Sequence, residues 1–187
     1  MGDPGESNSF IRLTANTPAG FSQSRRPFPS DPDVDATVAS LSDDIDTLLD
    51  TNCCFEIDIN GTGFQQVDLS SLELSGASDT HAIADAIADQ INLQIHGVTV
   101  SCQWDPIQTD DTGLVETRFL LRITSATAPY TSVTIRRSRE NDLAGPLMLG
   151  ISQGGIEVAR FSNLRPVPNG IVFTGATSSL QYPGVVD

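Results

Sequence analysis

The pattern of apolar residues changes its period within the segment from His81 to Trp104. In the first half of the segment an isoleucine recurs every fourth residue, at Ile83, Ile87 and Ile91. After Gly97 the apolar residues recur every second residue. Because a helix repeats every 3.6 residues and a strand every two, this change predicts a helix followed directly by a strand.

The residues at the two ends of the predicted helix support its limits, which we place at 80–96. Asp79 precedes the helix and has a side chain that accepts hydrogen bonds from the first free backbone N–H groups. Gly97 follows it, and glycine adopts the left-handed conformation of a C-cap at low cost. The strand that begins after Gly97 then returns the chain to the sheet that the helix covers.

The same comparison of periods predicts the remaining elements. Asn60-Gly61 separates two alternating segments, and this dipeptide is the strongest short signal for a β-hairpin. In the segment 116–126 apolar Phe119 and Leu121 alternate with Arg118 and Arg122, which predicts a strand with one apolar face. The other predicted elements are a helix over 34–50, the hairpin over 55–69, strands at 132–137 and 155–161, and a short helical turn within 142–151.

Together these elements predict an α+β fold, in which helices cover one face of an antiparallel sheet. The predicted domain spans residues 34–162. Residues 1–33 and 163–187 are rich in Pro, Gly, Ser and Asp, which predicts extended N-terminal and C-terminal arms. The arms contain these isolated apolar residues: Phe10, Ile11, Leu13, Phe21 and Phe28, then Ile171, Val172, Phe173 and Tyr182.

The charge of the chain excludes one class of partner. Its 187 residues include 24 acidic and 10 basic residues, which gives a net charge of −14, and every basic residue is arginine. Such a surface repels nucleic acids and anionic lipids. The lack of lysine fits either GC-rich coding or life in high salt. Arg136, Arg137 and Arg139 either recognise an acidic partner or offset nearby acids. No apolar run is long enough to span a membrane, and the first residues predict no secretion signal.

The three cysteines do not have the spacing of a zinc site. Cys53 and Cys54 are adjacent, and in a strand their side chains would point to opposite faces. A CxxC pair with further cysteine or histidine ligands is absent. We therefore expect Cys53, Cys54 and Cys102 to be buried, reduced thiols, and we expect no metal and no cofactor.

The two histidines do not form a catalytic pair. His81 and His96 lie at opposite ends of the predicted helix, about 22 Å apart, so they cannot share a ligand. At the C-terminal end of the helix His96 would interact with the helix dipole. The chain also lacks the GxSxG, SxxK and HExxH motifs. We therefore expect no enzymatic activity.

One acidic cluster has the start of a calcium-binding loop but not its end. Asp31, Asp33 and Asp35 match the first three ligand positions of an EF-hand. The glycine required next is Ala36, and the final glutamate is Ser42. This segment therefore does not predict a calcium site.

Two other segments contain residues of the types that bind ligands. Asp105, Asp110 and Asp111 lie in a polar loop, which is either solvated or able to bind a divalent ion. Gly61-Thr62-Gly63 does not continue to a third glycine or open a helix, so it does not predict a phosphate site.

The order of elements over about residues 53–170 resembles the inserted surface domain of contractile phage tail sheath proteins. The matching motifs are Ile91-Asn92, Gly97-Val98, Thr124-Ser125 and Leu149-Gly150, which mark caps and turns. A similar module occurs in flagellar hook-associated proteins. Whole sheath proteins are longer, and their tube-wrapping core is not identified in this chain.

The resemblance implies a structural virion protein, either a tail sheath or a tail-associated component, that acts by protein–protein assembly in particles formed in the host cytoplasm. Its expected partners are other copies of itself, as a homo-oligomer, or other tail proteins. The family supplies no catalytic residues. The alternative is an adhesin module that binds a receptor or glycan on a phage or cell surface.

Overall fold

The computed structural model describes residues 19–31, 33–109, 116–126 and 131–159. Within these ranges the chain forms seven strands, three α-helices and one 3-10 turn. The strands are β1 Phe21–Gln23, β2 Cys54–Ile59, β3 Gln65–Asp68, β4 Val100–Thr109, β5 Glu116–Ser125, β6 Val133–Arg137 and β7 Ile156–Val158. The helices are α1 Val38–Leu49, α2 Thr80–Asn92 and α3 Ala144–Leu147, and the 3-10 turn is Ile151–Gln153.

The strands form two antiparallel sheets. One sheet has the order β4-β5-β1-β7, and the other has the order β3-β2-β6. Buried residues from both sheets and from all three helices form one hydrophobic core. The predicted α+β class with antiparallel strands is confirmed, and the strands divide between two sheets where the sequence suggested one.

Helix α2 has the predicted start and the predicted apolar face. Asp79 Oδ1 accepts a hydrogen bond of 2.9 Å from Ala82 N, which caps the helix. Ile83, Ile87 and Ile91 are at most 3% exposed, and the helix packs against β4. The fourfold spacing of isoleucines therefore identified the buried face correctly.

The predicted end of α2 is wrong by four residues, because the helix ends at Asn92 and not at His96. Asn92 Nδ2 donates to Val100 O at 2.9 Å, and Asn92 Oδ1 accepts from Val100 N at 2.8 Å. The side chain of Asn92 thus makes the two hydrogen bonds that a residue of a neighbouring strand would make with Val100. These bonds connect the end of the helix to the start of β4. Gly97 has a φ of +82° but lies in the connection, and Leu93 is the C-cap.

Helix α1 begins four residues later than the predicted start at 34. Thr37 Oγ1 accepts from Ser40 N at 3.1 Å, and Ser40 Oγ accepts from Thr37 N at 2.9 Å. This reciprocal capping box satisfies two backbone donors and fixes the first turn. Val34 lies outside the helix and is 41% exposed, whereas Leu41 inside it is fully buried.

The predicted hairpin is formed by β2 and β3. Asn60 and Gly61 both have positive φ, at +61° and +75°, as the dipeptide predicted. The connection spans residues 60–64 and is longer than a two-residue turn. In the resulting register Cys54 lies opposite Asp68.

Part of the predicted N-terminal arm belongs to the domain. Strand β1 lies between β5 and β7 and pairs with both. Ser22 in this strand is fully buried, and Phe28 is 1% exposed and forms a bridge with Phe119. The predicted arm boundary at residue 33 therefore differs from the structure, which places residues 19–31 in the domain. Residues 1–18 and the predicted arm 163–187 lie outside the described residues.

Side chains at the strand edges join the two sheets. Glu157 Oε1 in β7 accepts a hydrogen bond of 2.7 Å from Ile135 N in β6. Burial raises the pKa of the Glu157 carboxyl, although backbone hydrogen bonds from Ile135 and Ile151 act in the opposite direction. Gly20 N donates to Thr131 Oγ1 at 2.6 Å and connects the start of β1 to the start of β6.

None of the helices in the described ranges is long and apolar enough to cross a bilayer.

Candidate functional site

The two histidines are both exposed and have separate local partners. His81 Nε2 lies 3.7 Å from a carboxylate oxygen of Asp85, one turn along α2. The backbone N of His96 donates to Gln65 Oε1 at 2.9 Å, four residues beyond the end of the helix. The expected interaction of His96 with the helix dipole is therefore wrong, because the helix stops before it.

The acidic segment before α1 forms a turn that leads into the capping box. Asp33 N donates to Asp31 Oδ1 at 2.9 Å, and the carbonyl oxygen of Asp35 accepts from Ser40 Oγ at 2.6 Å. These bonds connect the acidic residues to one another and to the first turn of the helix. They give the segment a structural role at the start of α1.

Asp105 takes part in a polar network on β4. Its carboxylate accepts from Arg122 at 2.5 Å, from Gln103 at 2.7 Å and also from Gln23. The guanidinium of Arg122 additionally lies 4.4 Å from the ring centroid of Phe21. Asp105 thus joins β4, β5 and β1, and the other two residues of the candidate loop, at 110 and 111, lie outside the described residues.

Two of the three arginines that could recognise an acidic partner have acidic neighbours on the same chain. Arg136 pairs with Glu56, and Arg137 Nε pairs with Asp142 at 2.7 Å. Arg26 likewise lies 3.4 Å from Asp44, and Arg139 is exposed, as Arg136 and Arg137 are. These contacts favour the interpretation that most of these arginines offset nearby carboxylates.

Cys53, Cys54 and Asp68 meet at the open end of the β2–β3 hairpin. The two sulfur atoms are 3.7 Å apart, and a carboxylate oxygen of Asp68 completes a group whose members all lie within 4.8 Å of one another. The expectation that the two cysteine side chains point to opposite faces is wrong, because Cys53 precedes the strand that begins at Cys54. Both cysteines are buried as predicted, and Asp68 is exposed.

The ionisation of these groups follows from their surroundings. Burial and the neighbouring Cys54 raise the pKa of the Cys53 thiol to about 11. A hydrogen bond from the backbone of Ser70 lowers the pKa of the Asp68 carboxyl. Cys102 lies in β4, and burial raises the pKa of its thiol. At neutral pH Cys53 and Cys102 are therefore protonated thiols, and the carboxylate of Asp68 is ionised.

A second candidate site is the outer edge of β7. Strand β1 pairs with one side of β7, and no other strand in the described part of the chain pairs with its second side. Near the start of this strand, Met148, Ile151 and Ile156 are 42%, 45% and 40% exposed. We refer to these three residues and β7 as the β7 edge surface.

The β7 edge surface concentrates the exposed apolar residues of the domain. Its three apolar residues are half of the six large hydrophobic side chains that are exposed in the described ranges. A hydrogen bond of 2.9 Å from Gly155 N to Gly150 O folds the segment back, so that residues 148–151 lie close to the start of β7. The sequence predicted this strand but not its place at the end of the sheet that the described residues form.

Comparisons with protein-family models, curated proteins and solved structures found no match to this chain.

Proposed function

We propose that this chain is a structural virion protein, either a phage tail sheath or a tail-associated component, that acts by assembling with other copies of itself or with other tail proteins. The proposed role requires no catalysis, no cofactor and no contact with nucleic acid or membrane. The observation that supports it is the β7 edge surface, where a strand edge that pairs with no other described strand lies near exposed apolar side chains.

An unpaired strand edge presents a row of backbone donors and acceptors to which another extended segment can bind. Proteins that remain monomeric usually protect such an edge with charges, proline or a covering element. Here the exposed residue at the start of β7 is Ile156, and its neighbours Met148 and Ile151 are also apolar. This combination favours strand addition by a partner.

The proposed occupant is the segment 171–174 of a neighbouring copy. Its sequence, Ile-Val-Phe-Thr, consists of residues that favour strands, and glycines flank it at 170 and 175. An extended segment with this sequence can bond to the β7 backbone while its apolar side chains cover the exposed apolar residues near the start of β7. The segment lies in the predicted C-terminal arm, outside the described residues.

The length of the intervening chain is sufficient for this exchange. β7 ends at Val158, and the segment begins at residue 171. Thirteen residues from one to the other extend up to about 43–47 Å. That distance exceeds the diameter of a small domain, so the segment can reach the β7 edge of an adjacent copy.

Replacing Ile156 with lysine is expected to weaken self-association of the full chain. The lysine would place a charge at the centre of the proposed contact, and we expect the dissociation constant to rise about tenfold or more. Sedimentation equilibrium over a range of protein concentrations measures this change. Leu93→Lys is the matched control, because Leu93 is 77% exposed at the end of α2 and lies outside the β7 edge surface.

The control variant should associate like the unmodified chain. Equal association of the Ile156→Lys variant and the unmodified chain would show that the β7 edge is not the contact. A chain that stays monomeric at all concentrations and does not bind tail proteins would contradict the assembly role.

The virion location needs a separate test. Antibody against the chain is expected to decorate the tails of particles in electron micrographs. Specific binding of the purified chain to a glycan array, with no label on the tail shaft, would instead support the alternative of an adhesin.

A further inference from the structure

We propose that Cys53, Cys54 and Asp68 form a binding site for one thiophilic divalent cation of the zinc class. The three side chains present two sulfur atoms and one carboxylate oxygen, all within 4.8 Å of one another. The expectation of no metal site was based on the spacing of the cysteines along the chain, which does not include Asp68.

The distance between the sulfur atoms fits a single tetrahedral ion. Two thiolates bound to one zinc ion at about 2.3 Å lie about 3.8 Å apart. The sulfur atoms of Cys53 and Cys54 are 3.7 Å apart before any ion binds. Both can therefore bind one ion with little movement.

The backbone holds both cysteines in place. Cys54 N donates to Asn141 O at 2.8 Å, and Cys54 O accepts from Leu143 N at 2.7 Å. Cys53 O accepts from Leu69 N at 2.8 Å. The backbone of the two cysteines is thus bonded to the end of β3 on one side and to the segment before α3 on the other. This preorganisation lowers the free-energy cost of binding an ion.

Asp68 is positioned to supply the third ligand. Its Oδ1 accepts from Ser70 N at 2.8 Å, which orients the carboxylate, and the side chains of Cys53 and Cys54 also hydrogen-bond to this carboxylate. The side chain amide of Gln94 bonds to both backbone groups of Asp68, at 2.8 Å and 2.7 Å. Because Asp68 is exposed, water can occupy the fourth position of a tetrahedral ion.

The ligand set determines which ions bind. On binding, each cysteine thiol releases its proton to solvent, and the resulting thiolate donates an electron pair to the ion. Two thiolates and one carboxylate favour Zn²⁺ or Cd²⁺ over Mg²⁺ and Ca²⁺, which prefer oxygen ligands. A bound ion would connect the start of β2 to the end of β3 and close the open end of the hairpin.

Cadmium is a direct probe, because a cadmium–thiolate bond absorbs in the ultraviolet. The full chain, reduced and stripped of metal with EDTA, is titrated with Cd²⁺ and then with Zn²⁺ as a competitor. We expect a thiolate band that saturates at one ion per chain and a rise in Tm with either ion. Mg²⁺ should produce neither effect.

Substitutions locate the site. Cys53→Ser and Cys54→Ser should each lose the saturable band, whereas Cys102→Ser should keep it. Asp68→Asn should keep the band and weaken affinity by about tenfold or more, and its exposed position makes this change compatible with folding. Asp89→Asn, an exposed carboxylate on α2, is the control and should leave affinity unchanged.

Absence of a thiolate band in the reduced chain would overturn the proposal. Survival of the band in both the Cys53→Ser and the Cys54→Ser variant would also overturn it. Equal changes of the cadmium affinity by Asp68→Asn and Asp89→Asn would do the same. These outcomes do not depend on assembly, because the site and the β7 edge surface share no residue.

Discussion

Replacing Ile87 with aspartate is expected to lower the free energy of unfolding by about 4 kcal/mol or more. Ile87 is 3% exposed on the buried face of α2 and lines a cavity of about 20 Å³. All residues around this cavity are aliphatic or aromatic, so a carboxylate there would be buried without a charged partner. Thermal unfolding followed by circular dichroism should show a fall in Tm of more than about 10 °C, or a chain that does not fold.

Two control substitutions separate burial from a general effect on the helix. Ile87→Val removes one methylene group and should cost only about 1 kcal/mol. Asp89→Asn changes the exposed face of α2 and should leave Tm nearly unchanged. An unchanged Tm for the Ile87→Asp variant would show that this face of α2 is not in the core.

Replacing Gly150 with alanine is expected to cost about 3 kcal/mol or more. Gly150 has φ +91° and ψ 148°, a region of backbone conformation that is essentially restricted to glycine. A Cβ atom there would also lie 2.3 Å from Ile135 O, so the β6 backbone would have to move. The change should therefore destabilise both the turn before the 3-10 segment and its contact with β6.

Gly97→Ala is the matched control for this prediction. Gly97 also has positive φ, at +82°, but a Cβ atom there would meet nothing within 4 Å. The control should cost about 1–2 kcal/mol from backbone strain alone. Chemical denaturation of both variants measures the free energy of unfolding. Equal losses of this free energy would show that the close approach of Gly150 to β6 does not contribute to the cost.

The sequence predicted those parts of the fold whose signals are local. The isoleucines of α2, its Asp79 cap and the positive φ of Asn60-Gly61 all follow from the residues themselves and their near neighbours. Strand β1 has no comparable signal, because it has three residues, Phe-Ser-Gln, and two of them are polar. Strand β1 forms because β5 and β7 pair with it on its two sides. The sequence of β1 alone does not predict this pairing.

The candidate sites depend on details that sequence periodicity does not contain. A two-residue turn at Asn60-Gly61 would place Val67 opposite Cys54, whereas the longer connection over 60–64 places Asp68 there. A shift of the pairing by one residue moves every side chain of the strand to the opposite face of the sheet. The position of β7 at the end of its sheet, among the strands that the structure describes, likewise depends on the strand order, which was not predictable from the sequence of β7.

The most direct test of the proposed assembly is a disulfide cross-link between two different copies of the chain. Val158→Cys places a thiol on β7, and Val172→Cys or Phe173→Cys places one in the proposed occupant, with the two positions covering both faces of a strand. The variants are distinguished by mass and mixed under oxidising conditions. We expect a product that contains one chain of each kind, well above the level given by Leu93→Cys mixed with the same partners. Two results together would contradict assembly through the β7 edge. One is that the mixture forms no such product, and the other is that a chain carrying both substitutions forms only a disulfide within the same molecule.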